Sequence, residues 1–164
     1  MKRQEAKIKT CDNKSVGMLI KRGESLLLIE RRKPPFGFAP PAGHVDNKGS
    51  FENAAKEETR EEVGLIPTEI KLLAEGRKEN PCRRPGGFWH YWKIYQVAVD
   101  EEDDIKRSED ETKQAGWFTP DQIRELAQKS KRYLAREISD EEWQKSPGIE
   151  PVWMEWFEEL GILN

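Results

Sequence analysis

At 164 residues, with 35% hydrophobic and 36% charged side chains and a formal net charge of −3, the chain has the size and polarity of one globular domain with a real core. No apolar run approaches the roughly 20 residues that span a bilayer, and residues 1–10 are charged without a signal-like apolar segment, so no membrane partner and a cytoplasmic location are expected. The near-balanced charge, with acidic runs at 101–104 and 109–111, argues against a duplex nucleic-acid partner.

In chain order, residues 16–20 and 26–30, either side of Lys21-Arg22-Gly23-Glu24, read as two strands of a hairpin. Six prolines and glycines between Pro34 and Gly43 then predict a structured loop, because proline removes backbone donors and glycine admits unusual dihedrals. Residues 51–63, rich in Ala, Glu and Lys, predict a helix with Ser50 as N-cap and Gly64 as the stop. Strands are expected at 70–75, 88–99 and 116–118, and a second helix from Pro120 to about residue 127. In the tail from Asp140, Pro147-Gly148 separates two short helices carrying Trp143, Trp153, Trp156, Phe157 and Leu160. These aromatics are expected to pack on the domain, the alternative being a partner surface. Residues 1–164 thus read as a single domain, the tail from about residue 129 forming a C-terminal helical extension.

The chemistry concentrates on the first helix. At about 100° per residue, Glu58, Glu61 and Glu62 share one sector, while Lys56, Arg60 and Asn53 point largely the other way. Three carboxylates on one face repel one another and call for a hard cation, Mg²⁺ or Mn²⁺, which prefers oxygen ligands. A solvated acidic helix face is the bland alternative. A second cluster, Arg83 and Arg84 before Phe88-Trp89-His90-Tyr91-Trp92, places phosphate-gripping guanidinium groups beside rings that could stack a base. Trp89 and Tyr91 could equally be core residues of the strand.

Cys11 and Cys82 fall in no CxxC or Cys/His spacing, so two free thiols are expected, with neither a disulfide framework nor a structural zinc site. His44 and His90, the only histidines, could donate to phosphate or act as a base, although both are also readily structural.

The segment from Gly43-His44-Val45 through Arg60-Glu61-Glu62-Val63-Gly64-Leu65 resembles the signature of the Nudix hydrolase family, G-x5-E-x7-R-E-U-x-E-E-x-G-U, where U is a bulky aliphatic residue. Gly43, Glu58, Glu61, Glu62, Gly64 and Leu65 match. Gly49 stands where the family has its first Glu, Glu57 where it has Arg, and Thr59 where it has an aliphatic residue. The resemblance extends over about residues 14–128 through the hairpin, Pro41-Ala42-Gly43-His44 and Ala115-Gly116-Trp117-Phe118-Thr119-Pro120. It implies an α/β fold, a Nudix-like α/β/α sandwich with a mixed, partly antiparallel sheet. It also implies Mg²⁺-dependent hydrolysis of a diphosphate linkage in a nucleoside diphosphate-X substrate, ADP-ribose-like or nucleoside triphosphate-like.

In this reading Glu58, Glu61 and Glu62 are the catalytic and metal-binding residues. Arg31, Arg32, Gly43, His44, Arg83, Arg84 and Trp89 are substrate-binding candidates, and Glu109 or Glu111 the general base. Arg31 or Arg32 could replace the cation lost at Glu57. Pro81 lies about sixteen residues beyond Leu65, where family members acting on ADP-ribose often have a proline. The partner is a small-molecule nucleotide, and a homodimer is compatible with the sequence. The departures at Gly49 and Glu57 open the alternative of a catalytically weak or inactive nucleotide-binding module.

Overall fold

A computed structural model describes residues 8–163, so the reading of residues 1–7 lies outside them. The elements in chain order are β1 (Lys14–Leu19), β2 (Lys21–Arg22), β3 (Ser25–Arg31), β4 (Phe38–Ala39), β5 (Ala42–His44), α1 (Phe51–Val63), β6 (Pro67–Lys78), β7 (His90–Val99), β8 (Thr112–Phe118), α2 (Pro120–Leu134), α3 (Asp140–Lys145) and α4 (Pro151–Glu159).

They form two four-stranded sheets. One runs β5-β1-β7-β6, with β1 parallel to β7 and the other pairs antiparallel. In the other, β3 pairs antiparallel with β2, β4 and β8. The predicted hairpin is therefore corrected: residues 16–20 and 26–30 lie for the most part in different sheets, and only β2 and the start of β3 form the hairpin. Strand β1 finds its partner in β7, more than seventy residues away, because its buried Val16 and Met18 gain more from that core than from a solvent-facing ribbon.

Strand β3 is buried from Leu26 to Glu30 without alternation, the pattern of a strand covered on both faces. Leu27 and Ile29 join Val16, Met18 and Ile20 against Ala54, Ala55 and Val63 of α1. Leu26 and Leu28 face the opposite way, onto Ile123 and Ala127 of α2 and Trp153, Trp156 and Phe157 of α4. Period-two side-chain direction thus sends alternate residues into two cores and gives the helix-sheet-helix layering.

Trp143, Trp153, Trp156 and Phe157 are all buried, so the tail aromatics are core and the partner-surface reading fails for them. Gly17 makes room: a Cβ there would stand 2.3 Å from the Trp153 ring. The tail also enters the sheet edge, where Phe38 N donates to Gly148 O at 2.8 Å and Glu150 N to Phe38 O at 2.9 Å.

Several expected elements shift, strands 70–75 and 116–118 lengthening to β6 and β8. The second helix continues to Leu134, held by a Thr119/Gln122 capping box. The aromatic strand starts at His90, leaving Phe88 exposed, and in its first half the buried residues are His90, Trp92 and Ile94, not Trp89 and Tyr91. Within the proline-rich loop, β4 and β5 are short strands. Among the described residues no helix is long and apolar enough to cross a membrane.

Candidate active site

Helix α1 is set by its ends and one face. The Ser50 side chain accepts from Asn53 N, and Gly64, in the left-handed region at φ 68°, returns its N–H to Arg60 O. Thr59, at the signature's aliphatic position, is fully buried and donates its hydroxyl to Ala55 O at 2.7 Å, so it packs without an orphaned polar atom. This seating turns Glu58 and Glu62, one helical turn apart, into the interior at 8% and 6% exposure, whereas Glu61 remains exposed.

The third carboxylate beside Glu58 and Glu62 is Glu111, just before β8; one oxygen from each of the three lies within 4.8 Å of the others. Glu61 instead lines the cavity next to them. Gly43 on β5 packs directly on the Glu58 side chain, where an added Cβ would lie 2.4 Å from its carboxyl carbon. A glycine at the first signature position is therefore a packing requirement of the glutamate fifteen residues on.

One buried glutamate contacts a cation and the other feels one. Lys48 Nζ reaches Glu58 Oε1 at 2.9 Å, and the charge of Arg31, at the end of β3, acts on both Glu62 and Glu150. Arg31 Nε is buried without a hydrogen-bond partner among the described residues. Burial pushes the Glu58 carboxyl up to about 7, against the opposing pull of Lys48. Burial also raises Glu62 well above the ordinary carboxylate range, reinforced by the charge of Glu58 and only partly offset by Arg31. Two neighbouring carboxyl groups held above their usual range, beside an exposed third, form a site that gains from a multivalent cation.

These groups line a cavity of about 380 Å³. Of the sequence candidates, Arg31, Gly43, His44, Glu58, Glu61, Glu62, Arg83, Arg84 and Glu111 line it. Four features differ from the expectations. Arg32 is directed to the carbonyls of Glu109 and Thr112, not into the cavity. Glu109 and Trp89 do not line it, and Trp89 stacks under the Arg77 guanidinium at 4.2 Å. The Arg84 fork is engaged by Asp46 at 2.6 and 3.0 Å, leaving Arg83 as the exposed guanidinium of that loop.

Sequence reasoning missed Lys48 and Glu150. Lys48 sits in a loop, outside the helical period that singled out the glutamates. Glu150, buried in the cavity lining, arrives from the tail, and no local pattern links it to Arg31. Sequence reasoning also found no metal-ligand spacing among the cysteines and histidines, whereas the fold brings one ligand atom each of Cys11, His44, Cys82 and His90 within 4.8 Å of the others. Burial lowers His44 to about 4, with Arg84 adding to the effect, so its ring is neutral at ordinary pH.

The NUDIX domain profile matches residues 12–138. The chain belongs to the Nudix family. Its fold and its box helix therefore follow the expectation drawn from the signature. Among similar proteins, an ADP-ribose pyrophosphatase from Methanocaldococcus jannaschii is 33% identical over 115 residues, covering 69% of this chain and 65% of that relative. The match thus spans less than two thirds of the relative's own length. An RNA pyrophosphohydrolase from Novosphingobium aromaticivorans is 24% identical, covering 77% of this Nudix chain and 89% of that protein. Two crystal structures share the fold. A Caenorhabditis elegans Ap4A hydrolase binary complex aligns with TM-score 0.57 and 22% identity over 72% of this chain and 88% of that one. A Deinococcus radiodurans protein aligns with TM-score 0.62 and 16% identity over 98% of this chain and 90% of that one, the tail included.

Proposed function

We propose that this Nudix chain is a pyrophosphohydrolase that cleaves a diphosphate linkage in a nucleoside diphosphate-X substrate, ADP-ribose-like in the first instance, with Mg²⁺ or Mn²⁺. The observation that carries this reading is the convergence of Glu58, Glu62 and Glu111 in a cavity that also presents arginine and lysine. The all-carboxylate donor set fits a hard divalent cation and not a thiophilic one. When bound there, such an ion neutralises phosphate charge and supplies an activated water.

The chain's own residues supply the remaining steps. Glu58 and Glu62 hold the cation, Glu61 contributes a further carboxylate from the rim, and Lys48 and Arg31 limit the repulsion among them. In this reading Glu111, exposed to solvent, takes the proton of the attacking water on its carboxylate oxygen. Arg83 grips a phosphate from the rim, while Arg84 acts through Asp46 to hold the loop in place. The ADP-ribose preference rests on the pyrophosphatase relative and on Pro81, which lines the cavity beside Arg83.

A second reading, a nucleotide-binding module with little turnover, is favoured by the Lys48–Glu58 ion pair, since the ammonium competes with a metal for that oxygen. Incubation of the protein with a panel of nucleoside diphosphate sugars and triphosphates plus Mg²⁺, read by mass spectrometry, distinguishes the two. Cleavage lost in Glu58→Gln and Glu62→Gln is expected. Nucleotide binding without metal-dependent product for any compound sinks the hydrolase reading and leaves the module.

A further inference from the structure

The only two cysteines and the only two histidines of the chain meet at one point, although they come from four separate segments. Cys11 precedes β1, His44 ends β5, Cys82 lies in the loop between β6 and β7, and His90 begins β7. One ligand atom from each is within 4.8 Å of all the others, and Cys11 Sγ is already 3.3 Å from His90 Nε2. A tetrahedral zinc ion with Zn–S of about 2.3 Å and Zn–N of about 2.0 Å has ligand–ligand edges of about 3.3–3.8 Å, so a small contraction brings the four into coordination.

The surroundings are those of ligands. His90 Nδ1–H donates to Asn80 O at 2.9 Å, which fixes the tautomer and leaves the Nε2 lone pair facing the sulfur. His44 Nε2 is buried with no hydrogen-bond partner among the described residues. Each sulfur receives the backbone N–H two residues downstream, Asn13 N at 3.3 Å from Cys11 Sγ and Arg84 N at 3.4 Å from Cys82 Sγ, contacts that hold both sulfurs in place. Gly87 lets the loop fold over the second sulfur, since a Cβ there would lie 2.1 Å from it. A simple thiol–imidazole hydrogen bond accounts for Cys11 and His90 but leaves His44 and Cys82 without a role.

We propose that Cys11, His44, Cys82 and His90 form a structural Cys₂His₂ zinc site that staples the segment before β1, the end of β5 and the 80–87 loop to the head of β7. Two thiolates and two imidazoles make a soft, closed donor set, chemically distinct from the carboxylate cluster. The staple holds Arg83 and Arg84 at the cavity rim, because Cys82 is their neighbour and Cys11 N also donates to Pro85 O at 2.9 Å. It does not depend on the hydrolase reading.

The test is metal content of the full chain, purified under reducing conditions, stripped with a chelator and refilled with Zn²⁺ or Co²⁺. About one zinc per chain is expected after dialysis, and the Co²⁺ form should show thiolate-to-metal charge-transfer absorption. Cys82→Ser and His90→Ala should each lower zinc affinity by at least about tenfold, whereas Glu58→Gln with Glu62→Gln should leave zinc bound. The cobalt spectrum of the unaltered chain keeps the proposal testable should a variant fail to fold. Background zinc after refilling, cobalt without thiolate bands, or a Cys11–Cys82 disulfide found by mass in the purified chain would each overturn it.

Discussion

Glu58 and Glu62 are ordinary side chains made unusual by position. Burial raises both in the folded chain, Glu58 to about 7, so without metal the folded state binds protons that the unfolded chain releases near its ordinary value of 4.5. Their stabilising contribution is fully present below that value and is lost as pH rises through about 7. Metal-free Glu58→Gln is therefore expected to melt above the unaltered chain at pH 8, by roughly 2–8 °C for about 1–2 kcal/mol. The order should reverse with saturating Mg²⁺, since the amide loses a charged ligand oxygen; equal melting temperatures under both conditions would contradict this. Gly43→Ala tests the same carboxylate from the other side. Its methyl group collides with the Glu58 carboxyl, so kcat should fall on the order of 10²-fold while the fold is kept, read by steady-state kinetics and circular dichroism.

The box loop and helix show how an element absorbs departures from a family pattern. Gly49 has φ +93°, a conformation that favours glycine, and Glu57 is exposed at the surface of α1. The cations beside the buried glutamates come instead from Lys48 and Arg31. Restoring the family residues with Gly49→Glu and Glu57→Arg is therefore expected to lower the melting temperature by roughly 2–8 °C through backbone strain of about 1–2 kcal/mol, without raising kcat. A double variant faster than the unaltered chain would show that Lys48 and Arg31 are poor substitutes. Lys48→Met should lower kcat at neutral pH and move the rise of activity to higher pH, because Glu58 then keeps its proton to higher pH; a pH-rate profile checks this.

At the scale of the whole molecule, the tail is part of the core. Trp153 and Phe157 are fully buried, and Glu150 lies in the cavity lining. Truncation after residue 138 should thus expose the face of β1, β3 and β7 now covered by α4, giving an aggregating or loosely packed product detectable by dye binding and loss of a cooperative melt. Trp153→Ala should cost about 3–5 kcal/mol, and Gly17→Ala should also destabilise, since the same ring fills the space its methyl group would need. A truncated chain that melts cooperatively near the temperature of the full one would show that the tail is dispensable.

Helix α1, its Ser50 and Gly64 ends and the nearness of Glu58 to Glu62 were legible in the sequence because each depends on residues within a turn or two, where 3.6-residue periodicity and capping chemistry act directly. The tail helices were legible for the same reason. Tertiary structure alone decided which carboxylate completes the cluster, since Glu111 reaches Glu62 only through the pairing of β8 with β3. It also decided the facing of β7, because a strand's alternation reveals two faces without saying which is inward. The Cys11, His44, Cys82 and His90 cluster was invisible for the strongest reason: its four members are separated by strand crossovers, and sequence spacing carries no record of distances closed by a parallel β1–β7 pair.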